Sequence, residues 1–265
     1  MVDPGTVAVV GVALAAVVSV ALLAVERPPV NGATVVAALP WVVAAGLVDA
    51  LAASGAYPSV LAPVVRLPTV LAATFVVAVL VWMPLQQLAT LRDFDSGSGR
   101  YLAAAGMGAA VVLLVTLLVR VGLGGRALLW LSAGPLLAAV VAAAAYVALG
   151  FLDPTTLATT RWVGYLVVFG FVLSGTVTAV AVDVYGQVGG RATATLVVLA
   201  RDLPVASASV GWPAVALGAL VGCGVAALVA RAVRTDAVAG HVLAVAATAV
   251  TVAPGVAGLL ATVLR

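Results

Sequence analysis

Residues 6–25 read TVAVVGVALAAVVSVALLAV, twenty consecutive positions without a charge, closed by Glu26-Arg27-Pro28-Pro29. A helix rises about 1.5 Å per residue, so a run of this length spans the hydrocarbon core of a bilayer, about 30 Å. Only Asp3 precedes it as a charged residue, and it exceeds the apolar region of a secretion signal, about 7–15 residues. The run therefore reads as a first membrane helix.

Composition extends that reading to the whole chain. Of 265 residues, 65% are hydrophobic and 8% charged, with mean hydropathy +1.30. A soluble domain carries about 25% charged residues, so too few polar side chains exist here to cover a water-facing surface. Further spans are expected at 33–54, with Pro40 and Asp49; at 69–91, with Trp82 and Pro84; and at 101–121. Others are expected at 127–152, closed by Asp153-Pro154; at 162–186; at 210–230; and at 240–264, with a Pro254-Gly255 break. Residues 55–68 (GAYPSVLAPVVRLP) are apolar, but three prolines forbid a regular spanning helix and predict an interfacial or re-entrant connection. Residues 192–209 have the length of a short span, yet Arg201-Asp202 and Pro204 interrupt them and favour an interfacial or half-inserted helix. Backbone groups in lipid must be satisfied internally, and the runs are too long and too uniformly apolar for barrel strands. The predicted fold is an all-α polytopic bundle of about eight spans, seven to nine, forming one integral membrane domain over residues 1–265.

Gly46–Ala52 (GLVDALA) and Gly175–Ala181 (GTVTAVA) share Gly-x-Val-x-Ala-x-Ala in the second and sixth spans. They raise an internal repeat with halves 1–125 and 126–265, each of four helices and in parallel orientation; chance similarity in an Ala/Val-rich chain is the alternative. Arginines in the connecting loops divide six against six between the two membrane faces, so the positive-inside rule assigns no orientation.

The chain has twelve arginines and no lysine, and Glu26 is its one glutamate. Without lysine there is no retinal Schiff base and no P-loop. The charge is scattered, which excludes a nucleic-acid footprint. One cysteine, Cys223, and one histidine, His241, are too few for a metal or haem site, and no cofactor is expected. A dyad of Ser174 with His241 lacks the Gly-x-Ser-Gly flank of intramembrane proteases. Of the five tryptophans, Trp130, Trp162 and Trp212 fall near span ends as an aromatic belt would, whereas Trp41 does not.

Ionisable and hydroxyl residues at membrane depth are the remaining candidates for chemistry. Asp49, Ser174, Thr176, Thr178 and Asp183 form a candidate polar seam on the second and sixth spans. Facing a cavity, they would handle protons or cations; otherwise the carboxylates meet helix ends and the hydroxyls serve helix packing.

Phe169-Gly170, Gly175, Thr178-Ala179, Val182-Asp183-Val184, Gly186, Leu203-Pro204, Gly211-Trp212 and Ala253-Pro254-Gly255-Val256 resemble the archaeal membrane proteins of domain-of-unknown-function family 63. In the first half, Pro40-Trp41, Gly55-Ala56-Tyr57-Pro58 and Leu61-Ala62-Pro63 resemble the same group. The resemblance implies an uncharacterised multi-pass archaeal protein and lends no activity. It also implies a histidine at Phe171 and at Asp49, and an aspartate at Ser174, so polar groups of that pattern are replaced here while Thr178 and Asp183 remain. Arginine without lysine, and aspartate over glutamate, fit the GC-rich genomes of salt-loving archaea. The expectation is a non-enzymatic multi-pass protein of the cell membrane with the lipid bilayer as partner, or alternatively a small-solute or proton-coupled transporter.

Overall fold

The computed structural model describes residues 4–26, 30–91, 99–122, 124–186 and 211–263. Every regular element among them is helical. In chain order they are α1 (Pro4–Glu26), α2 (Gly32–Ala53), a 3-10 turn (Ser59–Leu61), α3 (Ala62–Val65), α4 (Thr69–Leu91) and α5 (Gly99–Val121). After these come α6 (Gly125–Leu152), α7 (Pro154–Ala179), which runs into a π-helical turn (Val180–Val184), α8 (Trp212–Thr235) and α9 (Ala237–Val263). Eight of them are long and apolar enough to cross a membrane. The chain is an all-α polytopic bundle and a multi-pass membrane protein. The interrupted stretch 192–209 lies outside the described residues.

Span boundaries depart from the sequence reading where local chemistry decides them. Helix α8 continues through Arg231 and Arg234 to Thr235, because arginine is a good helix former. It stops where Asp236 accepts the N–H groups of Val238 (2.9 Å) and Ala239 (3.1 Å) and starts α9. Pro254 does not break α9, which is continuous from Ala237 to Val263. Pro40, Pro84 and Pro135 are likewise inside helices, as packed membrane helices tolerate. The proline-rich stretch 55–68 forms only the 3-10 turn and the four residues of α3.

By contacts the chain divides into two compact units, residues 1–121 and 122–265. In the first, α2 packs on α4 and α5, and α1 lies against α3 and α4. Trp41 is buried with Ala37, Trp82 and Leu102, which explains its departure from an aromatic belt. Its indole N–H donates to Leu102 O (3.0 Å), and Gly106 makes room for it: a Cβ there would lie 2.7 Å from the ring.

In the second unit α7 is central, packed by α6, α8 and α9. Helices α7 and α8 meet backbone to backbone. A Cβ on Gly175 would collide with Ala214 O, one on Gly218 would sit 2.6 Å from Phe171 O, and one on Gly222 would sit 3.0 Å from Val168 Cα. Lipid tails are as apolar as leucine, so close van der Waals approach of this kind is what holds membrane helices together.

The α6–α7 hairpin is closed by Asp153, which accepts the N–H of Thr155 (3.1 Å) and Thr156 (3.2 Å) and their hydroxyls (2.5 and 2.7 Å). Pro154 follows at the first helical position, where its missing donor is harmless. Beyond the first two turns, Arg161 adopts φ 46° and kinks the helix at the point where the sequence places the start of the sixth span. Tyr146 of α6 fastens the kink: its hydroxyl donates to Arg161 O (2.7 Å) and lies 2.8 Å from Thr160 Oγ1. Trp162, next to the kink, is 75% exposed.

Two outcomes follow from this packing. Gly175→Ala should destabilise the protein by about 1–3 kcal/mol, whereas Gly224→Ala, which meets open space, should change stability by less than about 0.5 kcal/mol. Unfolding of the purified protein in mixed micelles compares them. The hydroxyls of Thr155 and Thr156, then the N–H of Thr156, hold the Asp153 carboxyl down to about 2, from 3.8. A depressed folded pKa gives stability that is present above 3.8 and lost as pH falls through about 2. Between those values the parent should lose hairpin stability with falling pH, and Asp153→Asn should flatten that slope.

Candidate functional site

In the second unit Thr176 and Thr178 are on α7, and both are 0% exposed. Without water, a threonine hydroxyl reaches back to a carbonyl one turn earlier. Thr176 Oγ1 donates to Val172 O and Thr178 Oγ1 to Ser174 O, each at 2.9 Å. Thr251 of α9 does the same to Ala247 O (2.8 Å). Its hydroxyl packs where a side chain on Gly170 would otherwise stand. Ser174 is half-buried at the level of Gly255.

The helix then widens into the π-turn that carries Asp183. This carboxylate is exposed and faces the start of α8, accepting Gly211 N–H (3.3 and 3.2 Å to its two oxygens) and Trp212 N–H (3.2 Å). Gly211 occupies the N-cap position of α8 and has no side chain with which to cap it. Asp183 supplies that acceptor from the neighbouring helix, and its charge complements the positive end of the α8 dipole. A Cβ on Gly211 would lie 2.6 Å from Ala179 Cα and 2.8 Å from Asp183 Oδ2, so glycine is what admits the carboxylate. Arg126 of α6 closes the carbonyl end of the π-turn, donating from Nη2 to Val184 O (2.9 Å) with its guanidinium 4.9 Å from the Tyr185 ring centroid.

The first unit uses the same device at the end of α2. Asp49 is half-buried and its Oδ1 accepts Leu67 N–H (3.0 Å), two residues before α4 begins. Arg66 Nη2 donates to Ala52 O (3.3 Å) in the last turn of α2, and Ser54 Oγ donates to Leu51 O (2.8 Å). In each unit, then, an aspartate near the end of the second long helix receives backbone N–H from the entry to the next long helix. The sequence register that aligns Gly46 with Gly175 places Asp49 against Thr178 instead, so the two carboxylates do this from different positions.

The structure thus brings Ser174, Thr176, Thr178 and Asp183 onto α7 and its π-turn, and places Asp49 in the other unit. A Ser174–His241 dyad does not form. Gly255 packs beside Leu173 and Ser174, and His241 is fourteen residues earlier on α9, about 21 Å along the axis. His241 Nδ1 instead lies 2.6 Å from Ala237 O. Among the described residues no three His, Cys, Asp or Glu side chains converge as metal ligands would. Two polar atoms escaped the sequence reading: the buried hydroxyls of Thr248 and Tyr185 have no hydrogen-bond partner among the described residues. Neither has a local sequence signal, because each orphan depends on what the fold packs around it. Comparisons with family models, curated proteins and solved structures found no match.

Asp183→Leu removes the cap of α8 and should destabilise the protein by about 0.5–2 kcal/mol. Asp183→Asn keeps an acceptor oxygen and should lose a smaller part of that. Denaturant titration of both variants beside the parent checks the order.

Proposed function

We propose that the chain is a non-enzymatic scaffold or interaction protein of the cell membrane, an archaeal relative of the domain-of-unknown-function family it resembles. The supporting observation is the direction in which polar groups at membrane depth are used. Thr176 and Thr178 bond to carbonyls of their own helix, and Asp49 and Asp183 bond to backbone N–H groups at the start of the next helix. Side chains committed to backbone hold helices in place. They are not held in reserve for a substrate. The glycine-mediated contact of α7 with α8 supports the same reading, since it leaves no room between those helices for a solute.

A second reading, a small-solute or proton-coupled transporter, draws on one observation. Thr248 is 2% exposed on α9, and its hydroxyl has no partner among the described residues. Water or a solute hydroxyl would satisfy it. Reconstitution into proteoliposomes with an internal pH dye separates the two. The scaffold reading expects proton flux equal to that of empty vesicles, in the parent and in Asp183→Asn alike. A parental flux abolished by Asp183→Asn would replace it with the transporter.

A further inference from the structure

The first unit contains a small cleft with both polar and apolar side chains in its lining. It lies between α1 and α4 and is lined by Leu23, Glu26, Trp82, Met83, Gln86 and Gln87, around a volume of about 40 Å³. Three of those six residues carry strong side-chain acceptors: the one glutamate of the chain and two of its three glutamines. The other three are an aliphatic group, a thioether and an indole. Among the described residues that line it, none is cationic.

The geometry points to a binding site for a primary ammonium group. Charge sets the sign: Glu26 is the last residue of α1, and neither α1 nor α4 has a basic residue in its last turn to offset the negative end of its dipole. Number sets the class. An –NH3+ group has three donors and no acceptor, matching one carboxylate and two carboxamide oxygens. Gln86, Gln87 and Trp82 each have a further interaction, and a carboxamide oxygen with two lone pairs accepts a second donor. A divalent cation is a poor fit, because one carboxylate and two amides fall short of six to eight oxygens, roughly the number that calcium takes. Volume sets the size. One water needs about 10–15 Å³, so the cleft has room for –CH2–NH3+. Trp82 and Met83 wall the cleft with an aromatic ring, which attracts cations, and a polarisable sulfur.

The occupant comes from outside the chain. The sequence contains no lysine, so none of its side chains offers a primary amine. A primary ammonium reaches an interfacial cleft either as a lipid headgroup or as a free amine. The competing occupants are the guanidinium groups of Arg27 and Arg92, which directly follow α1 and α4 in sequence.

The test uses the full-length purified protein in mixed micelles, with binding read from tryptophan fluorescence and native mass spectrometry. Ethylammonium chloride probes the free amine, and phosphatidylethanolamine probes the headgroup. Phosphatidylcholine and phosphatidylglycerol are the controls that lack a primary ammonium. Saturable binding of either probe, weakened about fivefold by Glu26→Gln, is the expected result. Binding of the lipid but not the salt names the headgroup as source, and the reverse names the soluble amine. Gln86→Leu should weaken the same probe, with circular dichroism and elution volume showing that both variants remain folded. Three results would overturn the site: no binding of either probe, phosphatidylcholine retained as well as phosphatidylethanolamine, or binding that appears only in Arg27→Gln or Arg92→Gln.

Discussion

A bilayer interior offers no water to a peptide group, and this constraint organises the protein. Each long helix satisfies its own ladder, and what remains are the groups that a ladder leaves over: helix ends, prolines and side-chain hydroxyls. Polar side chains go to those places. Asp49 and Asp183 receive N–H groups at helix starts, Arg66 and Arg126 donate to carbonyls at helix ends, and Thr176 and Thr178 return their protons to the preceding turn. With so few charges in the chain, several are spent on backbone.

Packing solves a second problem under the same constraint. Burial of apolar surface gives little advantage when the alternative is lipid, so helices associate where they fit closely. The two units achieve fit in opposite senses. In the first, the large residue is on the second long helix, where Trp41 enters the notch at Gly106. In the second, the notch is on that helix at Gly170, and Thr251 and Val252 fill it from α9. In the register that aligns Gly46 with Gly175, Trp41 and Gly170 occupy the same position. The tight contact is similarly placed while the bulk has changed sides.

The spans were legible because length and apolarity are summed over about twenty residues, and local exceptions average out. Pro58, Pro63 and Pro68 together were enough to remove residues 55–68 from the spans, since each deletes a donor within one short stretch. Pro254 alone was not: one proline removes a single bond from a 27-residue helix, and membrane helices tolerate that loss. The same limit applied to the candidate site. Thr176, Thr178 and Asp183 were recognisable as costly residues at depth, but their partners were not: Gly211 and Trp212 are 28 and 29 residues from Asp183. Likewise nothing local announces that Tyr146 fastens the backbone at Arg161, or that Leu102 accepts from Trp41 61 residues away.

The glycine notches of α7 and α8 also bear on how this protein can change over generations. Where two backbones touch, there is no side chain left to shrink in compensation when a neighbour grows. Leu, Val and Ala elsewhere in these helices can trade volume with one another or with lipid, so drift there is reversible. At Gly175 and Gly218 an added methyl would collide with the backbone of the partner helix, and at Gly222 it would press on it. Reversion, or an altered crossing of the pair, is the route back. That face should therefore be the slow-evolving record of ancestry in an otherwise fluid, Ala/Val-rich chain, and the place where distant relatives would be recognised.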